Sequence, residues 1–149
     1  MAPNRPDPIA DHLLVGCRER GELLTNLKLQ KLLYYADAWH LALHGEALFD
    51  EPFEAWVHGP VLPSQYERFR RFEWRPITDE VERPVLDDRV ASHLDEIIDV
   101  FGGESAIALE IMTHEERPWL EARDELPPTA PSRTAISRDT MRDYYRQLQ

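Results

Sequence analysis

The sequence predicts a mainly α (α+β) fold: a compact helical domain around a buried central helix, with a small β-hairpin or short strands near residues 46–58. Three observations predict it. Thr25–His44 is apolar on nearly every side, as a helix enclosed by other elements must be. Several further stretches repeat apolar residues at helical spacing. Between them, at Phe53–His58, the period drops to two, that of a strand.

The elements follow in order. Residues 1–6 are proline-rich and read as loose. Asp7-Pro8 reads as an N-cap followed by proline at the first helical position. Ile9, Ala10, Leu13, Leu14 and Cys17 then form a stripe that ends near Gly21. Thr25 caps the central helix, which presents Leu29, Leu32, Leu33, Ala36, His40 and Leu43 on one face, and Gly45 stops it. Glu46–Asp50 and Phe53–His58 are extended in character. In the second stretch Phe53, Ala55 and Val57 point one way, while Glu54, Trp56 and His58 point the other. His58-Gly59-Pro60 punctuates the chain. Pro63 opens a third helix carrying Tyr66, Phe69 and Phe72, and residues 73–86 are loop or short strand. Asp87 and Asp88 lead an amphipathic helix with Val90, Leu94, Ile97, Ile98 and Phe101 inward, closed by Gly102-Gly103. Helices over Ser105–Thr113 and from Pro118 to Arg123 follow, then a proline-rich loop at Leu126–Ser132. Ser137 caps the last helix, Ile136 staples to Met141, and Tyr144, Tyr145 and Leu148 dock it. No repeat or linker divides the chain, so residues 1–149 read as one domain.

Composition narrows the function classes. Hydrophobic residues make up 42% of 149, enough for a core. The net charge of -11 is uneven: residues 1–75 carry 9 Lys/Arg against 11 Asp/Glu, and residues 76–149 carry 8 against 17. The second half would repel a phosphate polyanion, which argues against direct nucleic-acid binding, and would attract a basic partner. The N-terminus has no apolar run for a signal peptide, and no stretch approaches a membrane span, so the expected compartment is the cytoplasm. The single cysteine, Cys17, excludes an internal disulfide and reads as a small buried hydrophobe.

No catalytic constellation emerges. His40 and His44 have the spacing of two metal ligands on one helix face, but no Cys or acid at ligand spacing joins them. His114-Glu115-Glu116 starts like a zinc-protease motif, yet position 118 is Pro118 instead of the second histidine. Phosphate-binding glycine loops and nucleophile elbows are absent. These readings predict no cofactor and no metal, and a binding protein instead of an enzyme. The enzymatic alternative is a hydrolase using His58, His114 and Glu54. Lys28 and Lys31, the only lysines, lie on the central helix and need a carboxylate partner or a route to water. Glu54 is the candidate partner, bracing helix to strand.

With these residues assembled, the chain resembles the Panacea domain of the SocA-like antitoxin family. The resemblance is carried by Leu27-Lys28-Leu29-Gln30-Lys31-Leu32-Leu33-Tyr34-Tyr35-Ala36, by Trp39-His40-Leu41-Ala42, and by Leu48-Phe49-Asp50-Glu51-Pro52. It continues in Glu54-Ala55-Trp56, in His58-Gly59-Pro60-Val61 with Pro63 and Tyr66, and in Thr113-His114-Glu115 with Pro118-Trp119 and Ala122-Arg123. The resemblance implies a toxin–antitoxin role: neutralising a cognate protein toxin by direct binding. It also implies the alternative of a proteolytic adaptor that hands the toxin to ClpXP, with ClpX as a second partner. Some members add a helix-turn-helix domain, for which 149 residues leave no room.

A neutralising protein needs a surface, and aromatic side chains dominate such surfaces. Trp56, His58, Gly59, Pro60, Tyr66 and Trp119 are the partner-binding candidates, while Lys28, Lys31, Tyr35, Trp39, Glu54 and His114 read as structural motif residues. The proposed toxin surface is basic, and exposed aromatics would also permit a homodimer. A phage-borne or virulence-associated interaction protein without a toxin is the remaining reading.

Overall fold

Thr25 accepts a hydrogen bond from Lys28 N at 3.3 Å and opens α2, Asn26–His44, which Gly45 ends in the left-handed conformation at φ 73°. The computed structural model describes residues 4–149. Of its nineteen residues, α2 buries nearly all but the last turn, as its all-round apolar sequence requires. Around it pack α1 (Pro6–Glu19), α3 (Pro63–Arg68), α4 (Asp88–Phe101), α5 (Ala106–His114) and α7 (Arg138–Arg146), and α6 (Arg117–Arg123) bridges α5 to α7. The core runs the length of α2 and includes Leu13, Leu33, Phe49, Phe53, Leu94 and Met141. The result is the mainly α fold expected, with one small antiparallel sheet.

The sheet is the chief correction. Glu46–Asp50 forms no strand. Its backbone is instead satisfied by side chains: Leu48 N donates to Asp37 Oδ1 at 2.8 Å, His40 Nδ1 lies 2.6 Å from Glu46 O, and Arg138 Nη1 donates to Asp50 O at 3.1 Å. The hairpin lies later, with β1 (Glu54–Trp56) paired to β2 (Gly59–Val61), and Ala55 opposite Pro60. Pro60 is tolerated because β2 is an edge strand. The far side of β1 takes the 134–136 segment, where Ala55 N donates to Thr134 O and Ile136 N to Phe53 O, both at 2.8 Å.

Several end signals moved. The N-cap of α1 is Arg5, not Asp7, whose carboxylate instead accepts from Gln65 Nε2 at 2.6 Å. Of the stretch expected to be loose, residues 1–3 lie outside the described residues, whereas Asn4 N is held by Leu48 O at 2.7 Å and the helix starts at Pro6. Ser137 caps its helix as read, Asp87 and Ser105 also accept capping hydrogen bonds from their helices, and Ile136 and Met141 are both buried. Tyr145 docks α7 on the core, but Leu148 is 54% exposed, beyond the helix's last turn. Cys17 is buried, and burial pushes its thiol up to about 11, so it behaves as a hydrophobe at neutral pH.

Candidate partner-binding site

Beside the hairpin lies an open groove of about 530 Å³ whose walls include Trp56, Val57, Tyr66, Trp74, Pro131 and Arg133. Strand alternation builds its floor. Ala55 and Phe53 point into the core, so Trp56 turns outward and meets Tyr66 of α3, ring centroids 4.8 Å apart. The Arg133 guanidinium covers Trp56 at 5.0 Å, and its Nε donates to Glu54 at 3.1 Å. Trp56 Nε1 donates to the same carboxylate at 2.9 Å. Val57, expected to face inward with Ala55, is half-buried and lines the groove, because the two-residue turn Val57-His58 ends the alternation. His58 stands at the rim, its side chain 73% exposed, with Nδ1 3.3 Å from Glu110.

Beneath the hairpin the chemistry differs. Lys31 is fully buried, and its Nζ donates to Pro60 O at 3.0 Å. Burial pulls the Lys31 ammonium down to about 7, opposed by the nearby Glu110 carboxylate. Gly59 covers the lysine: at φ 105° a Cβ would lie 2.6 Å from Lys31 Cε and 2.9 Å from Thr113 Oγ1, so only glycine closes the turn. Trp119 is 3% exposed, donates to Trp56 O at 2.9 Å and stacks on His114 at 4.0 Å. Burial lowers the His114 imidazole below its usual range. Gly59, Pro60 and Trp119 therefore lie below the surface formed by Trp56, His58 and Tyr66, and hold it from behind.

The remaining predicted residues fall elsewhere. Glu54 bonds neither lysine, because its carboxylate is occupied by Trp56 and Arg133. Lys28 instead pairs with Glu22 at 2.5 Å and with Gly102 O at 2.7 Å. The expected brace between helix and strand does exist, but Lys31 makes it to a carbonyl. Tyr35 donates to Glu116 Oε1 at 2.7 Å, and so does Tyr145. Trp39 is half-buried against Tyr145 and lines a second groove, of about 460 Å³, with Leu43, Val100 and Phe101. His58, His114 and Glu54 do not assemble as a hydrolase triad, since the Glu54 carboxylate contacts neither histidine. His93 of α4 joins His40 and His44, with centroids 4.8–6.4 Å apart. Among the described residues, however, no group of three His, Cys, Asp or Glu is arranged to hold a metal ion.

Sequence reading missed Trp74. It lies 81% exposed at the groove mouth, following Glu73 at φ 56°. The signal was available: a tryptophan between charged neighbours in a loop without apolar period has no core to join.

A family profile described as "Antitoxin SocA-like, Panacea domain" matches residues 29–120. The curated protein Antitoxin SocA of Caulobacter vibrioides (strain NA1000 / CB15N) is 38% identical over 76 residues. That match covers 46% of this chain and 40% of the relative, so the chain aligns with less than half of that protein's length. No solved structure matches the chain. The groove residues Trp56, Tyr66 and Trp74 fall inside the matched stretch, and Arg133 falls outside it.

Proposed function

The chain belongs to the Panacea-domain family of SocA-like antitoxins, and from that premise we propose that it neutralises a cognate protein toxin by direct binding, in the cytoplasm, through the groove beside the hairpin. The observation that carries this reading is Trp74, a large apolar side chain 81% exposed opposite Trp56 and Tyr66. Exposed tryptophan and tyrosine over a concave surface are the raw material of binding hot spots. The nine excess negative charges in residues 76–149 suit a toxin with a basic surface and would speed its encounter. They also oppose pairing with a second copy of this chain.

Co-expression with the product of the adjacent gene tests the proposal. A toxic neighbour should be bound and its growth arrest relieved, and Trp74→Ala should weaken both. A toxic neighbour that is neither bound nor rescued overturns it. The second groove, lined by Trp39, Leu43 and Val100, favours a further reading as a proteolytic adaptor, which needs a surface for ClpX besides the toxin's. Toxin that stays undegraded in complex, in cells with active ClpXP, excludes that role.

A further inference from the structure

Helices α5 and α7 have nine residues each, and they treat their outer faces oppositely. The exposed residues of α7 are Asp139, Asp143 and Arg146. Those of α5 are Ile107 and Ile111, at 68% and 53%. One turn apart, the two isoleucines stand on one face, with half-buried Ala108 beside them. Leu109 and Thr113, on the other side, are buried against the domain. The helix is thus apolar on both sides, the pattern of an enclosed helix, yet only one side is covered. Helix formation gives no reason for isoleucine at these open positions, because a β-branched side chain loses rotamer freedom in a helix.

The surroundings of this face are acidic. Residues 104–125 hold seven Asp/Glu against two arginines, and one of the two, Arg123, is buried and donates to the carbonyls of Ala55 and Pro127. Glu104 stands exposed just before the N-cap of α5 and Glu115 exposed at its C-cap, and neither pairs with a cation among the described residues. An apolar stripe between unpaired carboxylates selects its occupant by charge. A second copy laid antiparallel along the same face would set acidic ends against acidic ends. Anionic lipid and nucleic acid would be repelled. A segment carrying lysine or arginine around an apolar stripe covers the isoleucines and pairs the carboxylates together. The face offers side chains and no free backbone groups, so a helix, whose own backbone is satisfied, suits it.

We infer that the outer face of α5 is a docking surface for a basic amphipathic helix of a partner protein, whose apolar stripe covers Ile107 and Ile111 and whose cations reach Glu104 and Glu115. This surface is additional to the groove beside the hairpin and does not depend on it: Ile107 and Ile111 line neither groove, although Glu110 on the flank of α5 touches the first one's rim at His58.

The test is titration of the full chain with a blocked leucine–lysine peptide, patterned as an amphipathic helix of about four turns, and with a lysine–glycine peptide of equal length and charge, followed by methyl and indole resonances. The leucine–lysine peptide should shift the Ile107 and Ile111 methyls and leave those of buried Ile9 and Ile77 unmoved. The lysine–glycine peptide, which brings charge without apolar surface, should bind at least about tenfold more weakly. Ile111→Ser, at an exposed position that the fold does not need, should weaken the leucine–lysine peptide by roughly tenfold. Glu104→Gln with Glu115→Gln should weaken it by a smaller factor and flatten its dependence on salt. Trp74→Ala, in the groove, should leave it unchanged. Equal binding of the two peptides, wild-type binding by Ile111→Ser, or shifts confined to the Trp56 and Trp74 indoles or to the Leu43 and Val100 methyls would overturn the inference.

Discussion

Two aromatic clusters flank the hairpin, and they differ in where their polar atoms go. On the α2–α7 side, Tyr34, Tyr35 and Tyr145 are 1% exposed each, and the hydroxyls converge on Glu116 through contacts of 2.7–3.1 Å. Asp37 beside them is fully buried and takes Arg138 Nε at 3.0 Å and Leu48 N at 2.8 Å. Burial raises the carboxyl of Asp37, and Arg138 opposes it. On the groove side, Trp56, Tyr66 and Trp74 carry similar rings; Trp56 Nε1 is taken by Glu54, but the Tyr66 hydroxyl and Trp74 Nε1 bond no other described residue. Aromatic residues enclosed with their hydroxyls paired are architecture; aromatic residues held open with donors unpaired are available for recognition.

Breaking the closed cluster should cost most. Tyr35→Ala deletes a buried ring stacked on Phe101 at 4.5 Å and should destabilise by about 3–5 kcal/mol. Tyr35→Phe keeps the ring and loses only the bond to Glu116, at about 1–2 kcal/mol. Chemical denaturation measures both, and equal losses would mean that the ring packing contributes little.

Lys31 lies at the boundary between the two sides. Burial holds the folded ammonium near 7, against an ordinary value of 10.5, so the unfolded chain binds the extra proton. Stability should therefore rise with pH between 7 and 8.5, by at most about 1.4 kcal/mol per unit. Lys31→Met should flatten that slope. Identical slopes in the two proteins would remove Lys31 as the titrating group.

Gly59→Ala places a Cβ against Lys31 and Thr113 at φ 105° and should destabilise by about 1–3 kcal/mol. Gly103→Ala, where nothing lies within 4 Å of the added carbon, is the control. The smallest stability effect belongs to the open side: Trp74→Ala should change it by no more than about 0.5 kcal/mol, while affinity for the toxin falls at least about tenfold. Large unfolding on loss of Trp74 would erase the contrast between the clusters.

Residues in periodic segments were legible. The stripe of α2, the caps at Thr25 and Ser137, and the stops at Gly45 and Gly102 follow from spacing and local hydrogen bonding. Trp56 was placed on the outward face by alternation alone, and the structure pairs it with Tyr66. Residues that bond across the fold were not legible. Glu46–Asp50 looked extended because its partners Asp37, His40 and Arg138 are distant in sequence or on other elements. Glu54 looked like a lysine's partner until Arg133, 79 residues away, occupied it. Trp119 read as a surface candidate, yet packing buried it under the hairpin.

By itself the sequence determined the helical class, the enclosed central helix and the family, because each rests on residues near one another along the chain. Tertiary structure alone decided which aromatic residues are enclosed and which stand open. Exposure depends on what arrives from elsewhere: Glu116 and α7 close over the tyrosines, while Trp74 and Arg133 border Trp56 and leave its groove open. A side chain's donors stay free or become paired only when such distant segments meet, and that pairing is what separates architecture from the proposed binding surface.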